Sequence, residues 1–165
     1  LTSFARGRAM SPQAHEMATL ASRFCELIEA SSEEDLAWLR GVAQLLPRLH
    51  AAITTLDGDD GSGESLMADL DARFELYTHL RMLLGEKDSY WMEYDRTGEA
   101  HTMTGSLADD LTDIYCELKH GLRLLDGEPS RAVRGWCHGY RLHWGQHLVD
   151  AERHLYALQA QGHLD

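Results

Sequence analysis

The chain has 165 residues, a length that fits one domain and buries enough apolar surface to fold without disulfides or a structural metal. Its 27 acidic and 15 basic side chains give a net charge of −12. Nucleic acids and anionic membranes bind clustered Lys and Arg, which are scattered here, so we expect neither as a partner. Three cysteines without CxxC spacing, and no apolar run near the roughly 20 residues of a membrane span, predict a cytoplasmic protein.

The first half of the chain predicts two helices after a flexible N-terminal arm at residues 1–10, so the helical-bundle domain is assigned to residues 11–165. Ser11-Pro12 is a helix start, with serine as N-cap and proline at the first helical position. This helix is expected to end near residue 30. Ser31 and Glu34 have the spacing of a capping box, which predicts a second helix from there to about residue 56.

A third helix is predicted over about 65–85, after an acidic, glycine-rich loop at 57–63. Residues 86–103 then break the helical period, because aromatic and polar side chains alternate there. This segment is predicted to be an irregular aromatic-rich crossover or a small hairpin packed on the bundle. It either seals one end of the core or covers a pocket, and the seal is the favoured interpretation.

Two long helices are predicted in the C-terminal half, one from Ser106 to about residue 126 and the other over 131–160. The turn between them is short, so they should be antiparallel neighbours. The predicted fold class is therefore all-α, an antiparallel bundle of about five helices. The apolar stripes of these helices place eight residues in the core: Phe24, Leu39, Leu46, Phe74, Ile114, Leu118, Trp144 and Leu155.

Histidines and acids on the last two helices form the clearest candidate site. His143 and His147 are four residues apart, so their rings should project from one side of the fifth helix. Asp110, Asp113 and Glu117 form a stripe beside the apolar face of the fourth helix. Counted from the shared turn, Asp113 is level with His143 and Asp110 with His147. The two helices can therefore bring carboxylates and imidazoles to the same depth.

Two interpretations of this group are open at the level of sequence, besides the absence of any contact. In the structural one, the acids orient and charge the histidines in a polar network at the margin of the core. In the functional one, a divalent cation such as zinc, manganese, iron or nickel is bound by His143, His147, Asp110 and Asp113. A water on the metal would then hydrolyse a small substrate, with Glu117 as base.

A pocket beside this group is predicted to be lined mainly by aromatic side chains. Tyr90 and Trp91 come from the aromatic segment, Trp136 and Tyr140 from the fifth helix, and Glu117 from the fourth. The segment around Trp91 would shield a bound ion from solvent.

Four stretches of the sequence resemble the bacterial DUF5063 family: Tyr90-Trp91, Ser106 to Tyr115, Lys119 to Leu122, and His143 to His147. The runs S-L-A-D-D-L-T-D-I-Y and H-W-G-Q-H are the specific parts of a similarity that extends from about residue 18 to residue 158. The resemblance implies a compact bacterial helical domain and supplies no reaction. It places five chemistry-bearing residues in family-like segments: Asp109, Asp110, Asp113, His143 and His147.

The histidine spacing is also similar to that of DinB-like metal-binding bundles. Those bundles add a histidine from an early helix to a late H-x-x-x-H pair. In this chain the additional histidine would be His50 or His79.

No complete catalytic motif accompanies the predicted core, because the sequence has neither a G-x-S-x-G elbow nor a phosphate-binding glycine loop. The favoured hypothesis is therefore a non-enzymatic bacterial binding module that contacts a protein partner or a second copy of itself. The alternative is a divalent-metal-binding bundle that hydrolyses a small substrate. Whether the chain is an enzyme stays open at this stage.

Overall fold

The computed structural model describes residues 9–58, 69–95 and 100–165, without the side chains of residues 93–95 and 100–102. The arm predicted at 1–10 and the loop predicted at 57–63 therefore lie largely outside the described residues. None of the described helices has the length and apolarity that a membrane crossing requires. The elements are α1 (Pro12–Glu29), α2 (Ala37–Thr55), α3 (Leu70–Leu84), β1 (Ser89–Asp95), β2 (Ala100–Ser106), α4 (Leu107–Leu125), α5 (Pro129–Gly139) and α6 (Gly145–Ala160).

The predicted all-α bundle of five helices is confirmed, with α5 and α6 forming the two parts of the fifth helix. Buried side chains from every helix form one continuous hydrophobic core. Seven of the eight core residues predicted from the sequence are at most 2% exposed. The apolar stripes of α1, α2, α4 and the fifth helix therefore identify the core correctly.

The prediction for Phe74 is wrong, because its side chain is 66% exposed. Leu80 and Leu84 are the buried residues of α3. Phe74 and Leu80 are six positions apart, which corresponds to about 120° around an α-helix. Phe74 thus lies away from the side of α3 that packs on the bundle.

The predicted capping box at Ser31 and Glu34 is also wrong, because α2 begins at Ala37. The Asp35 carboxylate accepts a hydrogen bond from the Ala37 N–H at 2.8 Å and serves the first turn instead. From there α2 continues as one helix through Pro47.

The aromatic segment contains an antiparallel hairpin, formed by β1 and β2, in which Trp91 pairs with Thr104. The hairpin packs against α6. The rings of Tyr90 and His154 lie 4.7 Å apart, and the Arg153 guanidinium donates a hydrogen bond to the Trp91 carbonyl. Of the two structures predicted for this segment, the hairpin is therefore the one observed.

Strand β2 runs directly into α4, and Asp88 fixes this junction. The Asp88 side chain is 2% exposed and accepts hydrogen bonds from the Ala108 N–H at 2.7 Å and from the Ser106 hydroxyl at 3.0 Å. Ser106 in turn accepts from the Asp109 N–H at 3.2 Å. These caps hold the first turn of α4, where acidic side chains also suit the helix dipole. Asp109 and Asp110 are thereby placed at a rigid helix start.

A π-turn at Tyr140–Trp144 interrupts the fifth helix between α5 and α6. In a straight α-helix, Trp136 and Trp144 would lie about 80° apart around the axis. The extra residue of the π-turn brings both rings to the buried side, where Trp136 is 1% and Trp144 0% exposed. The Trp144 indole N–H donates to the Trp136 carbonyl at 3.1 Å. Burial of the two indoles thus accompanies the irregular turn.

Candidate metal centre

Five side chains form an acid–histidine cluster between α4 and the fifth helix: Asp110, Asp113, Glu117, His143 and His147. The acids follow one another along α4 at spacings of three and four residues, so they lie on one side of that helix. The π-turn supplies His143, and α6 supplies His147. The four residues predicted as metal ligands are therefore brought together, with Glu117 beside them.

His147 lies at the centre of the cluster and contacts an aspartate through each ring nitrogen. Its Nδ1 is 2.7 Å from Asp110 Oδ1, and its Nε2 is 3.0 Å from Asp113 Oδ2. Burial alone lowers the pKa of His147, but the two carboxylates outweigh that effect and raise the pKa to about 10. Without a metal, His147 is therefore an imidazolium at neutral pH and donates a hydrogen bond to each aspartate.

The two aspartates differ in their surroundings. Burial raises the pKa of Asp110, and this outweighs the hydrogen bonds from His147 and Tyr90, whose hydroxyl donates at 2.5 Å. Burial acts on Asp113 in the same direction, but hydrogen bonds from His147 and Arg73 hold its pKa well below the usual range. The Arg73 Nε–H donates to Asp113 Oδ1 at 2.7 Å. Asp113 is therefore the firmly ionised carboxylate of the cluster.

His143 contributes a second imidazole to the same carboxylate oxygen. Its Nε2 lies 3.7 Å from Asp113 Oδ2, and its Nδ1 lies 3.2 Å from Glu117 Oε1. Burial raises the pKa of Glu117, and the hydrogen bond with His143 opposes that shift. The His143 and His147 rings meet edge to face with centroids 5.0 Å apart. Both Nε2 atoms therefore point toward one oxygen of Asp113.

This arrangement fits a divalent cation held by Asp113, His143 and His147. One ligand atom from each residue lies within 4.8 Å of the others. At a metal–ligand distance of about 2.1 Å, adjacent ligands are about 3.0 Å apart in octahedral and about 3.4 Å apart in tetrahedral geometry. The distances of 3.0 and 3.7 Å from Asp113 Oδ2 to the two Nε2 atoms bracket these values. A cation would replace the Nε2 proton of His147.

Asp109, Asp110 and His147 form an alternative group of the same size. It offers one imidazole, whereas the group of Asp113, His143 and His147 offers two, and its acids, like Asp113, already accept hydrogen bonds. Asp109 accepts from the Arg73 guanidinium at 2.8 Å, and each Asp110 oxygen already accepts a hydrogen bond, from His147 and from Tyr90. The group on the Nε2 side of His147 is therefore the better cation site.

Comparison with known proteins places the chain in a family. Residues 8–161 match DUF5063, described as a domain of unknown function. The chain belongs to the DUF5063 family. Protein BF1032 from Bacteroides fragilis, known from a crystal structure, is similar with a TM-score of 0.70 and 22% identity, over 90% of this chain and 96% of that chain. At this identity the similarity shows the fold alone. No curated protein is significantly similar to the chain.

A cavity of about 350 Å³ adjoins the cluster in this DUF5063 protein, between α3, the hairpin, α4 and α6. Asp110 and His147 form part of its wall, together with Tyr90. Of the other residues predicted to line a pocket, Trp91 is 71% exposed on the hairpin and Trp136 is buried in the core. Glu117 contacts His143, and Tyr140 packs against Trp144 at 5.1 Å between ring centroids. None of these four lines the cavity.

Neither histidine considered as a third imidazole ligand belongs to the cluster. The ring nitrogens of His50 contact Glu152 at 2.8 Å and the Tyr140 hydroxyl at 3.1 Å. His79 Nε2 lies 3.2 Å from the Ser31 hydroxyl. The three-histidine arrangement of DinB-like bundles is thus wrong for this chain.

Arg73 is the member of the site that the sequence did not reveal. Its side chain joins α3 to α4 by hydrogen bonds to Asp113 and Asp109. A single arginine in a helix carries no motif, and residue periodicity does not say which helix lies opposite. The π-turn had a weak signal, since Gly139 and Gly145 bracket it within an otherwise helical sequence.

Proposed function

We propose that this DUF5063 protein binds a divalent metal ion through His143, His147 and Asp113, at a centre that supports hydrolysis of a small substrate. One observation carries the proposal. The Nε2 atoms of both histidines lie 3.0 and 3.7 Å from the same Asp113 oxygen, while the Nδ1 atom of each histidine contacts a different carboxylate.

Carboxylates on the far side of metal-binding histidines fix the tautomer and orient the ring toward the metal. Asp110 has this relation to His147, and Glu117 has it to His143. Asp110, predicted as a ligand, and Glu117, predicted as a base, are accordingly proposed as positioning residues. Arg73 holds the other Asp113 oxygen and leaves Oδ2 for the cation.

The exposure of the ligands supports a reactive centre over a closed structural one. The His143 side chain is 49% exposed, whereas His147 is 20% and Asp113 8% exposed. Structural zinc sites usually have four protein ligands, and catalytic sites three with an open position. The metal would supply Lewis acidity, and the open side next to His143 would admit water and substrate.

The three cysteines are free thiols, which supports the proposed cytoplasmic location.

The test is metal content and metal uptake. Protein purified without chelator is analysed for metals, and chelator-treated protein is titrated with Zn²⁺ by calorimetry. We expect one ion per chain. His143→Ala or Asp113→Asn should weaken Zn²⁺ affinity more than 100-fold, because each removes a direct ligand, a loss that exceeds the 10- to 100-fold effect of an outer partner. His15→Ala, at an exposed position on α1, is the control and should bind like the wild type.

Two results would contradict the metal proposal. One is a protein that carries no metal and takes up no Zn²⁺. The other is a His147→Ala variant with altered stability and unchanged Zn²⁺ uptake, which would make the cluster a structural network.

Hydrolysis by the metal-loaded protein is assayed on a panel of small ester, amide and phosphate substrates, with Asp113→Asn as the inactive control.

Protein binding is the second candidate function, because α3 exposes three large apolar side chains. Leu70, Phe74 and Met82 are 75%, 66% and 76% exposed. Leu70 and Phe74 are four residues apart and neighbour each other on one side of α3, and adjacent exposed apolar residues often mark contact surfaces. Light scattering after size exclusion tests the homodimer expected from the sequence. A dimer that Phe74→Ser dissociates supports this candidate, and a monomer at all concentrations counts against it.

A further inference from the structure

We propose that Gly139 and Glu117 together position His143 for metal binding, an inference that rests on the function proposed above. Gly139 ends α5, immediately before the π-turn. A Cβ atom built at Gly139 would lie 2.6 Å from Glu117 Oε2 and 3.1 Å from Glu117 Cδ. Both distances are shorter than van der Waals contact, so the Glu117 carboxylate occupies the space that a side chain at position 139 would fill.

The position of the Glu117 carboxylate determines which ring nitrogen of His143 is available to bind a metal. Glu117 is 15% exposed and accepts from His143 Nδ1–H at 3.2 Å. A neutral imidazole that donates from Nδ1 keeps its lone pair on Nε2. In His143 that lone pair faces Asp113 Oδ2. If Glu117 moves away, the ring loses both its tautomer and its orientation.

The backbone that carries His143 depends on a second glycine. The Gly145 N–H donates to the Tyr140 carbonyl and closes the π-turn. A Cβ atom at Gly145 would lie 2.4 Å from that carbonyl oxygen, which is backbone and cannot rotate away. The π-turn holds His143 in the cluster, and π-turns within helices are frequent at functional sites. Gly139 gives the cleaner test, since the atom nearest to a Cβ atom there belongs to the carboxylate of Glu117, which is a movable side chain.

The experiment compares Zn²⁺ affinity in four variants of the full chain. Gly139→Ala and Glu117→Ala should each weaken binding about 10- to 100-fold, the usual effect of losing an outer carboxylate partner. Glu117→Gln keeps an acceptor for Nδ1–H and should bind within a few-fold of wild type. Gly135→Ala is the matched control, because a Cβ atom there meets nothing within 4 Å. Alanine favours an α-helix more than glycine does, so a loss of Zn²⁺ affinity in Gly139→Ala cannot come from a weaker helix.

A double variant separates positioning from a general structural effect. Once the Glu117 carboxylate is gone, a methyl group at position 139 meets only Trp144 Cδ1, at 3.1 Å, and a shift of a few tenths of an ångström relieves that contact. Gly139→Ala combined with Glu117→Ala should therefore bind no more weakly than Glu117→Ala alone. Additive losses, or a Gly139→Ala variant with wild-type affinity, would overturn the inference.

A second measurement does not depend on metal binding. In chelator-treated protein, ¹H–¹⁵N correlation spectra report the tautomer of His143. We expect the Nδ1–H form in the wild type and in Gly135→Ala, and a shift toward Nε2–H in Gly139→Ala. A wild type that binds no Zn²⁺ refutes the metal function, while an unchanged tautomer in Gly139→Ala refutes the positioning role.

Discussion

His147 and Asp110 are joined by a 2.7 Å hydrogen bond between α6 and α4, although 37 positions separate them in the sequence. The same imidazole contacts Asp113 through its other nitrogen, at 3.0 Å. In the metal-free protein this bridge ties the fifth helix to α4, and in the proposed holoprotein one of its two contacts gives way to the cation. The Nε2 proton of His147 therefore stabilises the metal-free protein, and the same proton would have to leave when a cation binds.

The metal-free protein should lose stability as the pH rises from about 6.5 to 10. The pKa of His147 is about 10 in the folded chain and near 6.5 in an unfolded one. Its contribution is full below pH 6.5, declines as the pH rises, and is gone above pH 10. The full pKa difference corresponds to about 5 kcal/mol, and we expect about 2–4 kcal/mol because solvent screens a side chain that is 20% exposed.

Urea unfolding between pH 6 and pH 10.5, with chelator present, measures this effect. The difference between wild type and His147→Gln removes the titrations that the two proteins share. That difference should shrink steadily with increasing pH. A difference that stays constant would contradict the raised pKa of His147.

The bundle could be predicted because helical periodicity reports on burial. Leu118 and Ile114 repeat at the spacing of one face, and both are fully buried. Phe74 shows the limit of this signal. Only two residues of α3 are buried, so its apolar residues do not define a single buried face. The spacing of Phe74 is the same whether its side of the helix faces the core or the solvent.

The candidate site was predictable where two helices share a short turn, because counting residues from that turn aligned Asp113 with His143. The π-turn was not predictable from a period of 3.6 residues, since its extra residue is favoured by long-range packing of Trp136 and Trp144. Arg73 comes from α3, and no local rule in the sequence relates that helix to α4.

Tyr90→Phe should lower the free energy of unfolding by about 1–3 kcal/mol, the usual effect of removing one partner of a buried charged group. Tyr90 is 8% exposed, and its hydroxyl donates to the buried Asp110 carboxylate. Tyr156→Phe is the matched control, because Tyr156 is 74% exposed. Urea unfolding of both variants at pH 7 makes the measurement. Equal effects of the two substitutions would contradict a role for the Tyr90 hydroxyl.

Asp88→Ala should destabilise the protein by about 1–3 kcal/mol, because it leaves the buried Ala108 N–H without its acceptor. Asp88→Asn keeps a side-chain oxygen at the same place and should be affected less. Asp126→Ala, at the exposed end of α4, should stay within about 0.5 kcal/mol of wild type. Thermal unfolding followed by circular dichroism distinguishes the three. A loss in Asp88→Asn as large as in Asp88→Ala would instead implicate the negative charge at the α4 dipole.

Leu118→Ala should cost about 2–5 kcal/mol, the range for deleting a fully buried leucine and leaving part of the cavity unfilled. Leu118 is 0% exposed in the middle of α4, and its carbonyl accepts the Trp136 indole N–H at 3.3 Å. Leu70→Ala makes the same chemical change at a position that is 75% exposed and should alter stability little. Because α4 carries all three acids of the cluster, the larger loss should also appear as faster amide exchange at the Asp113 backbone N–H. If the two leucine variants unfold at the same urea concentration, Leu118 does not belong to the core that positions the site.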